Sequence, residues 1–156
     1  MNVYENMKQL GIALPPAPPR GGLYTSIKSF GDGLYYVSGC GTMINGQGPT
    51  GQLGKDLTIT QGQEAARRAM LNFLALVEKE INDLTRISSF VKLLIWVSST
   101  DCFYDQPNVA NGATELLVNL FGEKIGSPAR SAVAAHVLPG NIPIEIEGII
   151  EVMPQQ

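Results

Sequence analysis

Gly126 to Glu147 reads GSPARSAVAAHVLPGNIPIEIE. A single arginine, Arg130, stands directly before an apolar run from Ala132 to Leu138. A turn of Pro139-Gly140-Asn141 follows, and Ile144-Glu145-Ile146-Glu147 then alternates strictly. Strict alternation marks a half-buried strand, so the stretch predicts two strands joined by that turn. Such a pair would bring the Arg130 end and the two carboxylates into one neighbourhood. A guanidinium is a fixed fork of donors that grips a carboxylate or phosphate at two points. A nearby carboxylate can hold a water or move a proton. An arginine at a strand start is ordinarily solvated, however, and alternate glutamates ordinarily form a wet face. The residues alone leave both readings open.

Upstream, Pro107 opens a helix over Asn108–Phe121 that Gly122 stops. Its small early residues, Ala110, Gly112 and Ala113, allow close packing. Asn111 sits at that packed end, where an asparagine on a helix face is ordinarily turned to water. Ser89 to Ser98 (SFVKLLIWVS) is nearly all apolar and rich in β-formers, which predicts a strand buried on both faces. Trp96 is expected beneath the helices or at a subunit contact. The clearest helix precedes this strand. Thr60-x-x-Gln63 reads as its capping box, and Ala66, Ala69, Met70, Phe73, Val77 and Ile81 share one face at helical spacing.

Nearer the start, Leu23–Phe30 and Leu34–Ser38 flank Gly31-Asp32-Gly33 and predict a β-hairpin. Glycines at the end of its second strand, in Ser38-Gly39-Cys40-Gly41, let a backbone or ligand approach closely, or mark a bulge. Asn45 to Gly54 (NGQGPTGQLG) lacks the Lys-Ser/Thr ending of a phosphate loop and reads as a flexible surface loop. Val3–Leu10 predicts two helical turns, and Leu14-Pro15-Pro16-Ala17-Pro18-Pro19 an extended structural tether. The order β-β-α-β-α-β-β implies an α+β fold in one domain, residues 1–156, with the N-terminal helix and proline-rich tether in residues 1–22. Two helices would cover one face of a mixed sheet and leave the other apolar and open, which predicts a homo-oligomer.

Composition narrows the function. A chain of 156 residues suits one compact core. With 44% hydrophobic and only 16% charged residues, disorder is excluded and burial between subunits is favoured. A net charge of −3 gives no electrostatic footprint for nucleic acid. Cys40 and Cys102 form neither a disulfide framework nor a CxxC site, and free buried thiols in a reducing compartment are expected. His136, the single histidine, cannot build a histidine-rich metal site and reads as packed or at a rim. Neither a signal peptide nor a membrane span is read, so a cytoplasmic location is expected.

The strings LYYVSGCGT, GKDLTITQGQEAARRAMLNFLAL, QPNVANGATELLVNLFG, PARSAV with LP, and IEIEGII together resemble the Rid/YjgF family of reactive intermediate deaminases, also described as endoribonuclease L-PSP. The resemblance runs from about Gly11 to Val152. Its Leu10–Pro15 segment matches a longer subgroup that begins Leu-Gly-Ile-x-Leu-Pro. It implies a chorismate-mutase-like fold and a homotrimer whose sheets pack into a central barrel, with clefts at the subunit interfaces. It also implies hydrolysis of enamines and imines, such as 2-aminoacrylate or 2-iminopropanoate, to the 2-keto acid and ammonia without metal or cofactor. The family's carboxylate-binding arginine falls on Arg130, and the glutamate that holds the hydrolytic water falls on Glu145. Substrate-binding positions fall on Tyr24, Ser38, Gly39, Asn111 and the backbone at Ala132. The sequence departs from the family at Ala132, where many deaminating members carry cysteine, and around Tyr24, which stands in LYTSIK rather than PYSQ.

Three functions follow as alternatives. The first is an imine hydrolase using Arg130 and Glu145. The second is a non-catalytic trimer that binds small carboxylates in the same clefts. The third, disfavoured by the acidic charge and by absent basic-aromatic interleaving, is an endoribonuclease or translation inhibitor.

Overall fold

The computed structural model describes residues 2–154. Helix α1 (Val3–Gln9) is followed by the tether, strands β1 (Ile27–Ser29) and β2 (Leu34–Cys40), and helix α2 (Ile59–Ile81). Strand β3 (Ile87–Ser98), helix α3 (Gln106–Phe121), a single turn α4 (Glu123–Gly126), and strands β4 (Ala129–Ala135) and β5 (Ile144–Val152) complete the chain. The five strands form one mixed sheet in the order β1-β2-β5-β3-β4. This is the α+β architecture that the sequence implied.

The order corrects the expected pairing of the last two strands. β4 lies parallel to β3 on its outer side, and β5 lies antiparallel to β3 on its inner side, so β4 and β5 do not touch as a hairpin. A parallel pair needs a long crossover, and α3 supplies it between β3 and β4. The chain then steps across the end of β3 through the Pro139–Asn141 turn, where Ser98 N–H donates to the Pro143 carbonyl at 2.8 Å.

The expected stripe on α2 is buried: Ala66, Ala69, Met70, Phe73 and Val77 are wholly enclosed. The cap lies two residues earlier than predicted. Thr58, not Thr60, accepts from Gln61 N–H, and the Gln61 side chain accepts from Thr58 N–H in return. Gln63 instead donates to Asn108 and ties α2 to α3. A Cβ at Gly112 would collide with the Gln63 backbone, so the small residues of α3 do bring these helices together.

Three further expectations change. β3 is not buried on both faces: Phe90, Leu93, Ile95 and Val97 face the helices, whereas Leu94 and Trp96 are half-buried on the uncovered face. Trp96 is therefore not beneath the helices. β1 is shorter than the predicted Leu23–Phe30, because Tyr24 is tied back onto the preceding loop, its hydroxyl accepting from Gly21 N–H at 3.1 Å. The loop from Asn45 to Gly54 is not loose along its length. Leu53 is fully buried and bonds both ways to the end of β3, through Ser98 O and Thr100 N–H. Arg68 of α2 also donates to Thr42 O and Gln47 O. No helix among the described residues is long and apolar enough to cross a membrane.

Candidate functional site

Arg130 enters β4 opposite Leu93, which is a core residue, so its side chain leaves the sheet on the helix side. There Nη1 donates to Asn111 Oδ1 at 2.8 Å and to Thr114 Oγ1 at 3.2 Å, and Nη2 donates to the Pro107 carbonyl at 3.2 Å. Asn111 and Thr114 share one face of α3, three residues apart, and the Thr114 hydroxyl also donates to the Asn111 carbonyl. Asn111 is thus half-buried against Arg130 rather than simply turned to water. All three acceptors are neutral. Burial pulls the guanidinium below its usual proton affinity, but an arginine remains charged at neutral pH. The result is a cation held in place by neutral partners beside a groove of about 760 Å³ that also meets Glu115, Asn119 and Ser127.

Glu145 projects from the opposite face. β5 alternates with Ile144 and Ile146 wholly buried and Glu145 and Glu147 half-buried. Glu145 pairs with Trp96 and therefore lies on the uncovered face. Its carboxylate rests on the backbone of Gly39, where a Cβ would overlap it. Ser38 and Gly39 occupy a register shift of β2 against β5, between Val37 and Cys40. The sequence left a bulge and a close approach by a backbone or ligand as alternatives at these glycines; the strand register breaks here, and what approaches Gly39 is the Glu145 side chain. Desolvation, and then the neighbouring charge of Glu147, raise the proton affinity of Glu145. Glu147 is itself held by the Tyr36 hydroxyl, which donates to Oε1 at 2.9 Å.

The sequence-derived site residues do not converge within one chain. Arg130 and Glu145 are two strand steps apart across the sheet and three residues apart along β3, which places their Cα atoms about 14 Å apart. They also point to opposite faces. Asn111 joins Arg130, and Ala132, paired with Ile95, packs half-buried on the same helix side. Gly39 joins Glu145, and Ser38 precedes it in the same register shift of β2. Tyr24 lies before β1 at the far edge of the sheet, 44% exposed, with its hydrogen bonds closed on Arg20, Gly21 and Gly22. Leu23 beside it is fully exposed.

Thr114, Tyr36 and Glu147 were not singled out from the sequence as site residues. Thr114 carried a signal, because it lies three residues after Asn111 on α3. Tyr36 did not, because its meeting with Glu147 depends on β2 and β5 being neighbours. His136 is exposed just beyond β4 and meets Gln52 through its backbone carbonyl. The Cys40 thiol is buried and pushed up to about 12 by desolvation and by Glu145, which makes it a poor nucleophile. Cys102, expected to be buried, is exposed. No three His, Cys, Asp or Glu side chains among the described residues are grouped to hold a metal ion.

Comparison with known proteins gives this arrangement its context. Residues 9–146 match the sequence model of a family described as "YjgF/chorismate_mutase-like, putative endoribonuclease". The chain is 37% identical to Protein TCP17 of Trypanosoma cruzi, over 96% of this chain and 93% of that protein. Among solved structures it is similar to Atu1372 of Agrobacterium tumefaciens, a protein of unknown function. The TM-score is 0.87 and the identity 36%, over 96% of this chain and 92% of the other. A structure from Shewanella oneidensis, named as a putative endoribonuclease, superposes with a TM-score of 0.92 at 26% identity, over 97% of this chain and all of the other.

Proposed function

The chain belongs to the YjgF/chorismate-mutase-like family, and from that premise we propose that it hydrolyses 2-imino acids, and the enamines that tautomerise to them, to 2-keto acids and ammonia. The observation that carries this reading is the state of Glu145. It is a half-buried carboxylate seated over Gly39 with a raised proton affinity, as a group that takes a proton from water requires. Arg130 binds the substrate carboxylate. Its neutral partners Asn111, Thr114 and the Pro107 carbonyl fix its direction without consuming its charge.

The chemistry then needs little else. An imine is already electrophilic at C2, and Arg130 draws electron density toward the carboxylate end. Glu145 accepts a proton as the water oxygen bonds to C2, giving a tetrahedral adduct. That proton passes to nitrogen to give the amino alcohol; Glu145 then takes the hydroxyl proton as the carbonyl forms and passes it to nitrogen, and the C–N bond breaks to release ammonia and the keto acid. Tyr24, Ser38, Gly39 and the Ala132 backbone line the cleft in this reading.

Because Arg130 and Glu145 face opposite sides of one sheet, the site is formed between copies. One chain contributes Arg130 and Asn111, and the next contributes Glu145, Gly39 and Tyr24. A homotrimer in which the β4 edge of one chain, with Arg130 behind it, abuts the next chain's uncovered sheet face supplies that geometry and buries the uncovered faces in the assembly. Those faces carry Tyr36, Val91, Trp96 and Val133 at or near the surface of a single chain, which suits burial in an assembly.

A second reading, a trimer that binds small carboxylates without turnover, is favoured by Arg130 alone and gives Glu145 no task. Endoribonuclease action has the family description in its favour. It accords less well with a net charge of −3 and with a groove whose single cation is Arg130, since RNA backbones call for several. The test is release of ammonia and keto acid from freshly generated 2-aminoacrylate, with the uncatalysed rate subtracted. Acceleration by the native protein, abolished by Arg130→Ala and reduced about 100-fold or more by Glu145→Gln, is expected. Binding of 2-keto acids without acceleration would establish the binding trimer instead.

A further inference from the structure

Leu23 holds an apolar side chain out in solvent, 107% exposed in a single chain. A lone surface leucine needs no explanation by itself, but this one is presented by a built turn. Tyr24 N–H donates to the Gly22 carbonyl at 3.1 Å, and the Tyr24 hydroxyl accepts from Gly21 N–H at 3.1 Å. Arg20 Nη1 donates to the Tyr24 carbonyl at 3.2 Å. These bonds close the chain around Leu23 and leave its side chain outside. A turn that served only to join the tether to β1 would ordinarily carry a polar residue there.

The turn stands at the Glu145 end of the sheet. Ser38 N–H donates to the Ser26 carbonyl at 2.8 Å, so the chain before β1 still runs beside the register shift on which the Glu145 carboxylate rests. Tyr24 and Leu23 come just before Ser26. β1 and β5 are two strand steps apart, about 10 Å. On the other side, Glu145 pairs with Trp96, which is half-buried on the same face. Glu145 thus has an indole on one side and a projecting leucine beyond the other.

This placement bears on the substrate's third group. With the carboxylate on Arg130 of one copy and C2 at the water held by Glu145 of the next, the side chain on C2 remains to be housed. We propose that Leu23 is a specificity-determining residue, an apolar wall that receives this side chain and favours 2-imino acids with branched aliphatic groups over those with a methyl group. A methyl group leaves the gap between Glu145 and Leu23 open, whereas a longer chain fills it and takes apolar surface from water. The role rests on the imine reading, in which the chain that supplies Glu145 also supplies Tyr24.

The test compares hydrolysis of the imines of leucine, alanine and glutamate, generated freshly by amino-acid oxidases, with uncatalysed rates subtracted. The native protein should favour the leucine imine in kcat/KM. Leu23→Ala should lower that value about tenfold and leave the alanine imine unchanged, whereas Leu23→Met, of similar volume, should keep the preference. A merely structural role would move both substrates together and lower the oligomer mass measured by light scattering. Equal loss for both, loss for neither, or a native preference for the glutamate imine would overturn the proposal. Calorimetric binding of the matching keto acids separates it from the imine reading. If no imine is turned over, that reading fails. Tighter native binding of the leucine keto acid than of the alanine one, a difference erased by Leu23→Ala, would still sustain the apolar wall. Equal native binding of the two would overturn it.

Discussion

Gly39 has no room for a side chain, because the Glu145 carboxylate lies where a Cβ would be. Gly39→Ala must therefore displace that carboxylate, and a displacement of about 1 Å at a catalytic group costs roughly 100-fold in rate. We expect Gly39→Ala to lower kcat by that order while binding of 2-keto acids through Arg130 is retained, a split visible when turnover and inhibition constants are measured together. The charge state of Glu145 gives a second prediction. Burial and Glu147 raise its proton affinity, and it must be ionised to accept a proton. Activity should then fall, as pH is lowered, at a pH above the ordinary glutamate range of about 4.3. Glu147→Gln removes the like charge and leaves the desolvation. In kcat/KM profiles the acid limb should move to lower pH in that variant without reaching the ordinary value. A limb that moves upward would contradict the assigned cause.

At the scale of the element, α2 offers two overlapping capping boxes in the string TITQGQ, and the structure uses the first. Thr58→Ala should cost about 1 kcal/mol, seen as a melting temperature lower by about 2–4 °C at fixed protein concentration. Thr60→Ala, whose hydroxyl carries no cap, should stay within about 0.5 kcal/mol of native. Periodicity found this helix and its buried face because both are local properties. It could not choose between Thr58 and Thr60, because Gln63 is taken by Asn108 on another helix. The 139–141 turn misled for the same reason. Its residues are those of a hairpin turn, but whether β4 pairs with β5 or with β3 is settled by α3 crossing over the sheet. The pairing of Arg130 with Asn111 is likewise long-range, and only the family resemblance brought the two residues to notice together.

At the scale of the molecule, the alternation of β5 has a consequence that a hairpin would have hidden. Glu145 belongs to the uncovered face, and Arg130 belongs to the face that α3 covers. No rearrangement of side chains brings them together through the sheet. The central claim is that the site joins Arg130 of one chain to Glu145 of the next, and subunit mixing tests it most directly. Arg130→Ala and Glu145→Gln proteins, each inactive alone, would be unfolded together, reassembled at equal amounts and assayed for 2-aminoacrylate hydrolysis. Random assembly places both native residues in roughly one site in four, so recovery of about a quarter of native activity is predicted. Assembled but inactive mixtures, from native-like oligomers, would contradict the shared site and place catalysis within single chains.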